Sequence, residues 1–180
     1  MRRLRYNVAA SLDGFIATTD GGFDWIVDDP AVDFDALFDE FDAFVMGRKS
    51  WEVLQAQGER DPTRGRQVVV ASRSLEFRDI PGTRFVAEGI EEEVARLKRE
   101  PGRDLWLFGG GVLARSLFDA GLVDTVEVAV MPVLLGSGVP LLPKGAKVPL
   151  SLVSSRALAS GILMLTYRPA GAAGPSDHAR

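Results

Sequence analysis

The sequence predicts an α/β fold: a mixed, mostly parallel sheet with helices on both faces and an antiparallel C-terminal hairpin. Strand-like segments alternate with segments of helical periodicity, and each strand-like segment is continuously apolar, which is typical of strands buried on both faces. The last two strand-like segments flank Ser160-Gly161, a hairpin turn pattern. Because 180 residues are close to the size of one domain, we expect a single domain over 1–168 and a disordered tail over 169–180.

Apolar residues recur at helical spacing in the first quarter of the chain. Phe34, Leu37, Phe38 and Phe41 stand at i, i+3, i+4 and i+7, which predicts one buried helix face. The residues between them are mostly acidic, which predicts a solvated opposite face; they are Asp33, Asp35, Asp39, Glu40 and Asp42.

The remaining elements are predicted from apolar runs, charge order and glycines. In the helix over 90–99 acidic residues come first and basic residues last, which matches the helix dipole. Gly121 is expected to end the helix over 112–120 in a left-handed conformation. The other predicted helix is 48–57, the predicted strands are 4–10, 15–17, 43–46, 68–71, 83–87, 105–108, 123–131, 150–158 and 162–168, and 132–149 is a long connection.

Composition excludes several kinds of chemistry. The chain has no cysteine and one histidine, His178, which stands in the predicted tail. We therefore expect no disulfide, no thiolate nucleophile, no histidine triad and no cysteine- or histidine-based metal site. Any chemistry must come from carboxylates, hydroxyls, Lys, Arg, backbone dipoles or a bound cofactor.

Charge and hydropathy limit the classes of binding partner that the protein can have. A net charge of −4 gives no overall attraction to nucleic acid or to an anionic membrane. No apolar run approaches the roughly 18 residues needed to span a bilayer, and no cleavage-site pattern follows the basic start. We expect a cytoplasmic protein that binds a small molecule.

Polar or glycine-rich turns follow three of the predicted strands: 47–50 (Gly-Arg-Lys-Ser), 72–74 (Ser-Arg-Ser) and 109–111 (Gly-Gly-Gly). The carboxyl ends of parallel strands share one edge, where ligands bind in open α/β sheets. Glycines entering a helix let backbone N–H groups approach a pyrophosphate. Arg48 leads a helix, where its charge opposes the dipole unless it meets an anion, and Arg73 between two serines could hold a phosphate monoester.

Each of these features also has a purely structural interpretation. A strand-to-helix turn needs glycine in any case, and the run at 109–111 is not the GxGxxG fingerprint. Taken alone, Arg48 or Arg73 is more often a surface residue than a ligand. Asp13 is either a turn former or a carboxylate in a cleft, and Phe23 and Trp25 either fill the core or cover a planar ligand.

The motifs, in their order, resemble the dihydrofolate reductase-like superfamily, and within it the C-terminal reductase domain of the bifunctional riboflavin biosynthesis protein. The resemblance covers about residues 4–168. The motifs that carry it are ASLDGFIA at 10–17, VMGRKSWE at 45–52, VVVASR at 68–73, FGGG at 108–111, LVD at 122–124 and PVLLGSGVPLL at 132–142.

This resemblance implies a three-layer fold and a bound NADPH that transfers a hydride to a small substrate. It places Ala10 and Ile16 at the nicotinamide, and Ser72 with Arg73 at the 2′-phosphate. It makes Gly109-Gly110 a candidate for the superfamily's cis peptide and Asp13 a candidate catalytic residue near the substrate. Gly47, Arg48, Lys49 and Ser50 would hold phosphates, and the pyrophosphate would lie on Gly109, Gly110, Gly111, Val112 and Leu113.

The chain departs from the family pattern on the substrate side. The acid with which dihydrofolate reductases grip their substrate falls near Ala31, between Asp29 and Asp33, and neither is an unambiguous match. Residues 6–47 hold ten acidic residues and no Lys or Arg, whereas riboflavin-pathway reductases grip a ribosyl phosphate with basic residues. Residues 71–75 also depart from the riboflavin enzymes.

These observations predict an NADPH-dependent reductase of a C=O or C=N group, resembling 5-amino-6-(5-phosphoribosylamino)uracil reductase. The proton would come from Asp13 or from water. If Asp13 donates it, burial would have to raise the pKa of its carboxyl group. Pterin reduction and nucleotide binding without catalysis are the alternatives. The family resemblance also predicts a homodimer.

Overall fold

The computed structural model describes residues 1–56, 63–73 and 80–170. Within these ranges the chain forms ten strands and four helices. The predicted tail lies outside the described residues from 171 onward, and the last strand continues to Pro169. The strands are β1 (Leu4–Ser11), β2 (Phe15–Ala17), β3 (Phe41–Gly47), β4 (Gln67–Ala71), β5 (Thr83–Val86), β6 (Asp104–Gly109), β7 (Thr125–Met131), β8 (Val139–Pro140), β9 (Leu150–Ala157) and β10 (Leu163–Pro169), and the helices are α1 (Phe34–Asp39), α2 (Arg48–Ala56), α3 (Ile90–Arg99) and α4 (Gly111–Asp119).

Eight strands form one sheet in the order β5-β4-β3-β6-β1-β7-β10-β9. The first six run parallel to one another, whereas β10 and β9 are antiparallel. The mixed, mostly parallel sheet and the antiparallel hairpin are therefore confirmed. β3, β4, β5 and β6 lie on one side of β1, and β7, β10 and β9 lie on the other. Where the strand order reverses in this way, a crevice that can bind a ligand opens beyond the carboxyl ends of the strands.

Helices cover both faces of this sheet, which makes three layers. On one face Leu4 and Tyr6 of β1 pack with Val94 and Leu97 of α3 and with residues of α4. On the other face the aromatic and apolar side chains of β3, β4 and β6 pack against α1 and α2. Strands buried on both faces have no solvent side, which explains why their sequences are continuously apolar.

The first helix is shorter than the periodicity predicts. α1 ends at Asp39, and Phe41 lies fully buried in β3. The helical assignment of Phe41 was wrong because the junction falls at Glu40, the C-cap, and a buried strand residue there fits the same spacing.

The acidic side chains around α1 have specific partners, so their assignment to one solvated helix face was wrong in part. Asp33 is the N-cap, and its carboxylate accepts a hydrogen bond from the backbone N–H of Ala36 at 2.9 Å. Asp42 forms an ion pair with Arg2, and Glu40 forms one with Arg5.

The basic N-terminus is anchored in the sheet by these carboxylates. Arg5 is 8% exposed, and its Nε and one terminal nitrogen donate to the two oxygens of Glu127, each at 2.7 Å. Burial lowers the pKa of Arg5, but the hydrogen bonds and charges of Glu127 and Glu40 outweigh burial and raise it overall. Arg5 thus ties β1 to β7 and to the end of α1.

The outer strand β9 is exposed along its whole length. Its apolar side chains include Leu152, 57% exposed, and Val153, 50% exposed. The homodimer stays a prediction.

Arg5→Met should lower the free energy of unfolding by about 3 kcal/mol, because the carboxylate of Glu127, itself 15% exposed, loses its ion-pair partner. Urea denaturation at pH 7 measures this loss. The exposed Arg99→Met on α3 is the matched control and should change stability by less than about 0.5 kcal/mol. A loss for Arg5→Met no larger than the control's would contradict the anchoring role.

Candidate cofactor and substrate site

The three turns predicted to converge do lie along one edge of the sheet. In the parallel ladders Gly47 of β3 pairs with Ala71 of β4, and Met46 pairs with Gly109 of β6. The segments 47–50, 72–73 and 109–111 therefore follow neighbouring strand ends. Ser74 lies outside the described residues.

The glycine turn packs closely against the start of α2. The Gly109-Gly110 peptide is cis, which confirms the prediction. A Cβ built on Gly109 would lie 3.6 Å from the Ser50 Oγ, and one on Gly47 would lie 3.9 Å from the Gly109 carbonyl oxygen. Gly110 is the N-cap of α4. A Cβ built on it would lie 3.9 Å from the Ser50 Oγ, so the backbone at the start of this helix lies beside the Ser50 hydroxyl.

The cations predicted to hold phosphates lie on the surface of this edge. Lys49 and Arg73 are exposed, and Ser72 is buried beside them. Arg48 is 40% exposed and forms an ion pair with Glu52 at 2.7 Å, one helical turn later. Glu52 of the same helix therefore supplies part of the negative charge that offsets the unfavourable position of Arg48 at the start of α2.

The residues predicted to contact the nicotinamide end lie at the carboxyl end of β1 and beyond it. Ala10 is buried in β1, and Ile16 lies in β2, partly buried. On α4, Val112 is 78% exposed, whereas Leu113 packs into the core at 7%. Leu113 therefore has only its backbone available to a ligand.

Asp13 lies in the turn between β1 and β2 and is exposed. Its carboxylate accepts the Ser11 hydroxyl at 2.6 Å, the Leu135 N–H at 3.1 Å and the Gly136 N–H at 2.7 Å. The Ser11 hydrogen bond, together with the two backbone N–H groups, lowers the pKa of Asp13.

This environment corrects the sequence-based ranking of proton sources. A proton donor at neutral pH would need the raised pKa that burial gives, but Asp13 is exposed and its pKa is lowered. Asp13 is a carboxylate at pH 7 that joins two distant segments of the chain. The turn position of Asp13 is confirmed, and its placement in a cleft beside a ligand stays a prediction.

The segment 132–143 forms a strap across this end of the molecule. β8 within it pairs with β2, the Leu12 N–H donates to the Val133 carbonyl at 2.9 Å, and the Tyr6 hydroxyl donates to the Leu141 carbonyl at 2.7 Å. A Cβ on Gly111 would lie 2.6 Å from the Pro140 carbonyl oxygen, so only glycine fits where the strap meets α4.

Sequence reasoning assigned 132–149 only as a connection and missed the strap. The available signal was Gly138: a Cβ there would lie 2.2 Å from the Ala17 carbonyl oxygen. Glycine at that position marks a close backbone approach.

The loop 18–33 joins β2 to α1. Phe23 is 44% exposed, and the Trp25 indole N–H donates to the Gly22 carbonyl at 3.2 Å. Phe23 is therefore not a core residue, and a role for either ring in covering a ligand stays a prediction.

Asp29, one of the two acids flanking Ala31, is 6% exposed. Its oxygens accept from the Ala31 N–H at 2.8 Å and the Ser160 N–H at 3.2 Å. Hydrogen bonds to Ser160 and Ala31 lower its pKa, and the charge of Arg156 adds to the effect. Asp33 caps α1, so both acids are engaged in holding the fold.

Among the described residues, no group of three or more His, Asp or Glu side chains is arranged to hold a metal ion. Within the same ranges, no helix has the length and apolar character needed to cross a membrane.

Comparison with known proteins gives the family. The chain belongs to the RibD C-terminal domain family, whose profile matches residues 2–164. It is 32% identical over 178 residues to the uncharacterized protein YyaP of Bacillus subtilis, covering 92% of this chain and 94% of that protein. It is 29% identical over 148 residues to the riboflavin biosynthesis protein RibD of Corynebacterium ammoniagenes, covering 74% of this chain and 44% of that one.

Solved structures give the same fold. A Shewanella sp. PV-4 protein named for riboflavin biosynthesis has a TM-score of 0.80 at 25% identity, covering 94% of this chain and 99% of that one. A Thermotoga maritima diaminohydroxyphosphoribosylaminopyrimidine deaminase/5-amino-6-(5-phosphoribosylamino)uracil reductase has a TM-score of 0.68 at 17% identity, covering 93% and 56%. The latter likeness establishes the fold.

Asp13→Asn should destabilise the protein at pH 7, because the amide cannot accept all three hydrogen bonds. A lowered folded-state pKa contributes stability that is present above the ordinary value of 3.8 and is lost as the pH falls through the folded-state pKa. The difference in urea midpoint between wild type and Asp13→Asn should therefore narrow below pH 3.8. The exposed Asp28→Asn is the matched control; a difference independent of pH would contradict the assignment.

Proposed function

We propose that this protein is an NADPH-dependent reductase that delivers a hydride to a small C=O or C=N acceptor. The observation that carries the proposal is the convergence of 47–50, 72–73 and 109–111 at one sheet edge, with Arg48, Lys49 and Arg73 among them. Family membership supports it.

The residues at this edge suit a phosphorylated dinucleotide. Apart from the Ser50 Oγ, no described atom outside its chain neighbours would lie within 4 Å of a Cβ on Gly109, so a pyrophosphate can approach the backbone there. The N-terminus of α4 adds positive potential. Arg73 and Ser72 offer charge-assisted and hydroxyl hydrogen bonds to a 2′-phosphate.

The nicotinamide end would lie by Ala10 and Ile16, where β1 ends and β2 begins. When bound, the cofactor supplies the hydride. The chain's own part is to hold the acceptor carbon against the ring at near-attack distance and to keep the β1–β2 turn in place through Asp13.

Reduction of a C=O or C=N group adds a hydride to carbon and a proton to the heteroatom. Asp13 has no proton to give at pH 7, since its pKa is lowered. We infer that an ordered water supplies the proton. Pterin reduction through an acid near Ala31 is not proposed, because Asp29 and Asp33 are engaged in structural hydrogen bonds.

Titrating the purified protein with NADPH, and with NADH for comparison, should quench tryptophan fluorescence saturably, with NADPH binding more tightly. NADPH oxidation is then followed with carbonyl, imine and dihydropterin acceptors. Absence of binding by either coenzyme would overturn the proposal, and binding without turnover of any acceptor would favour a nucleotide-binding domain.

Arg73→Ala should weaken NADPH binding by about 1–3 kcal/mol, the worth of a charge-assisted hydrogen bond, and leave NADH binding unchanged. The same fluorescence titration measures both. The control is Arg99→Ala on α3, which removes an equal charge at the opposite edge. Equal losses for the two coenzymes would show that Arg73 does not contact the 2′-phosphate.

A further inference from the structure

The edge that carries the proposed site has two halves of opposite charge. We call the segments 47–50 and 72–73 the cofactor side, and the turn 12–14, the loop 18–33 and the strap segment 133–142 the acceptor side. The cofactor side carries Arg48, Lys49 and Arg73. The segments of the acceptor side contain six aspartates and no Lys or Arg; the aspartates are Asp13, Asp20, Asp24, Asp28, Asp29 and Asp33.

These carboxylates lie at the same end of the sheet as the cofactor side. The turn holding Asp13 follows the carboxyl end of β1, which runs parallel to β6. The loop 18–33 begins after β2 and is tied at Asp29 to the β9–β10 hairpin turn through the Ser160 N–H. Along this path Asp20, Asp24 and Asp28 are exposed.

The basic residues that come near the acceptor side lie outside its segments. The charge of Arg156, in the exposed strand β9, helps to lower the pKa of Asp29. Lys144 and Lys147 follow the strap, where the chain packs on Arg115 of α4. The acceptor side therefore offers a phosphate no cation comparable to those of the cofactor side.

Exposed apolar side chains complete the acceptor side. Leu12 and Leu134 are each 68% exposed, and the Leu12 N–H bond to the Val133 carbonyl holds their backbones side by side. Phe23 in the loop is 44% exposed. Such side chains favour the apolar body of a ligand, whereas the surrounding carboxylates repel an anion.

We propose that the site takes an uncharged or cationic acceptor with an apolar or planar body and discriminates against acceptors that carry a phosphate. This inference rests on the proposed function and adds the substrate class to it. The relative from Thermotoga maritima is named for a phosphoribosyl substrate; this chain selects a different one.

The test compares 5-amino-6-(5-phosphoribosylamino)uracil with its dephosphorylated form, because the two differ only in the phosphate. Calorimetry with NADP⁺-saturated protein measures the affinity of each without requiring turnover. The unphosphorylated compound should bind at least tenfold more tightly at low salt, and added salt should narrow the difference, since salt screens repulsion between exposed charges.

Charge reversal on the acceptor side provides the matched comparison. Asp24→Lys combined with Asp28→Lys should reduce the ratio of the two affinities, unphosphorylated to phosphorylated, at least threefold. Asp119→Lys, at the carboxyl end of α4 on the opposite edge of the sheet, should leave it unchanged. Both variants should keep the wild-type affinity for NADP⁺.

The outcomes separate the two proposals. Equal or tighter binding of the phosphorylated compound, or failure of the unphosphorylated one to bind, would overturn the inference alone. Equal narrowing in Asp119→Lys would also overturn it, because the effect would then not be local. Absence of NADP⁺ binding would overturn the proposed function and this inference with it.

Discussion

The structure depends on the placement of β1, a buried strand fixed near both ends by carboxylates. Near its start, the guanidinium of Arg5 is bound by Glu127 of β7. Just past its end, the carboxylate of Asp13 binds the backbone of 135–136. β1 lies between β6 and β7. The contacts of Arg5 and Asp13 therefore fix the position of β1 between the strand that precedes the glycine turn and the strand that precedes the strap.

The strap and the glycine turn form one unit around the start of α4. The strap's carbonyl at Pro140 lies against Gly111, and its carbonyl at Leu141 accepts the Tyr6 hydroxyl. A ligand bound at 109–111 would therefore contact backbone that the strap packs against. Steric contact between the strap and the start of α4 holds this backbone in place.

Helical periodicity, charge order, glycines and apolar runs correctly predicted those elements whose sequence reflects their own local environment. α3 has the predicted bounds, Gly121 has the predicted left-handed conformation, and every predicted strand is present. The contacts of Arg5 with Glu127 and of Asp13 with Leu135 could not be predicted, because the partners lie more than a hundred residues apart. The end of α1 was misplaced because Phe41 suits either a helix face or a buried strand.

The pairing of β1 has a consequence for how the chain is made. β1 is synthesised before its hydrogen-bonding partners, which begin at Leu105 and Thr125. A growing chain therefore carries β1 unpaired at least until Leu105 has been synthesised. Contacts of such long sequence separation slow folding, and the exposed strand is open to association with other chains.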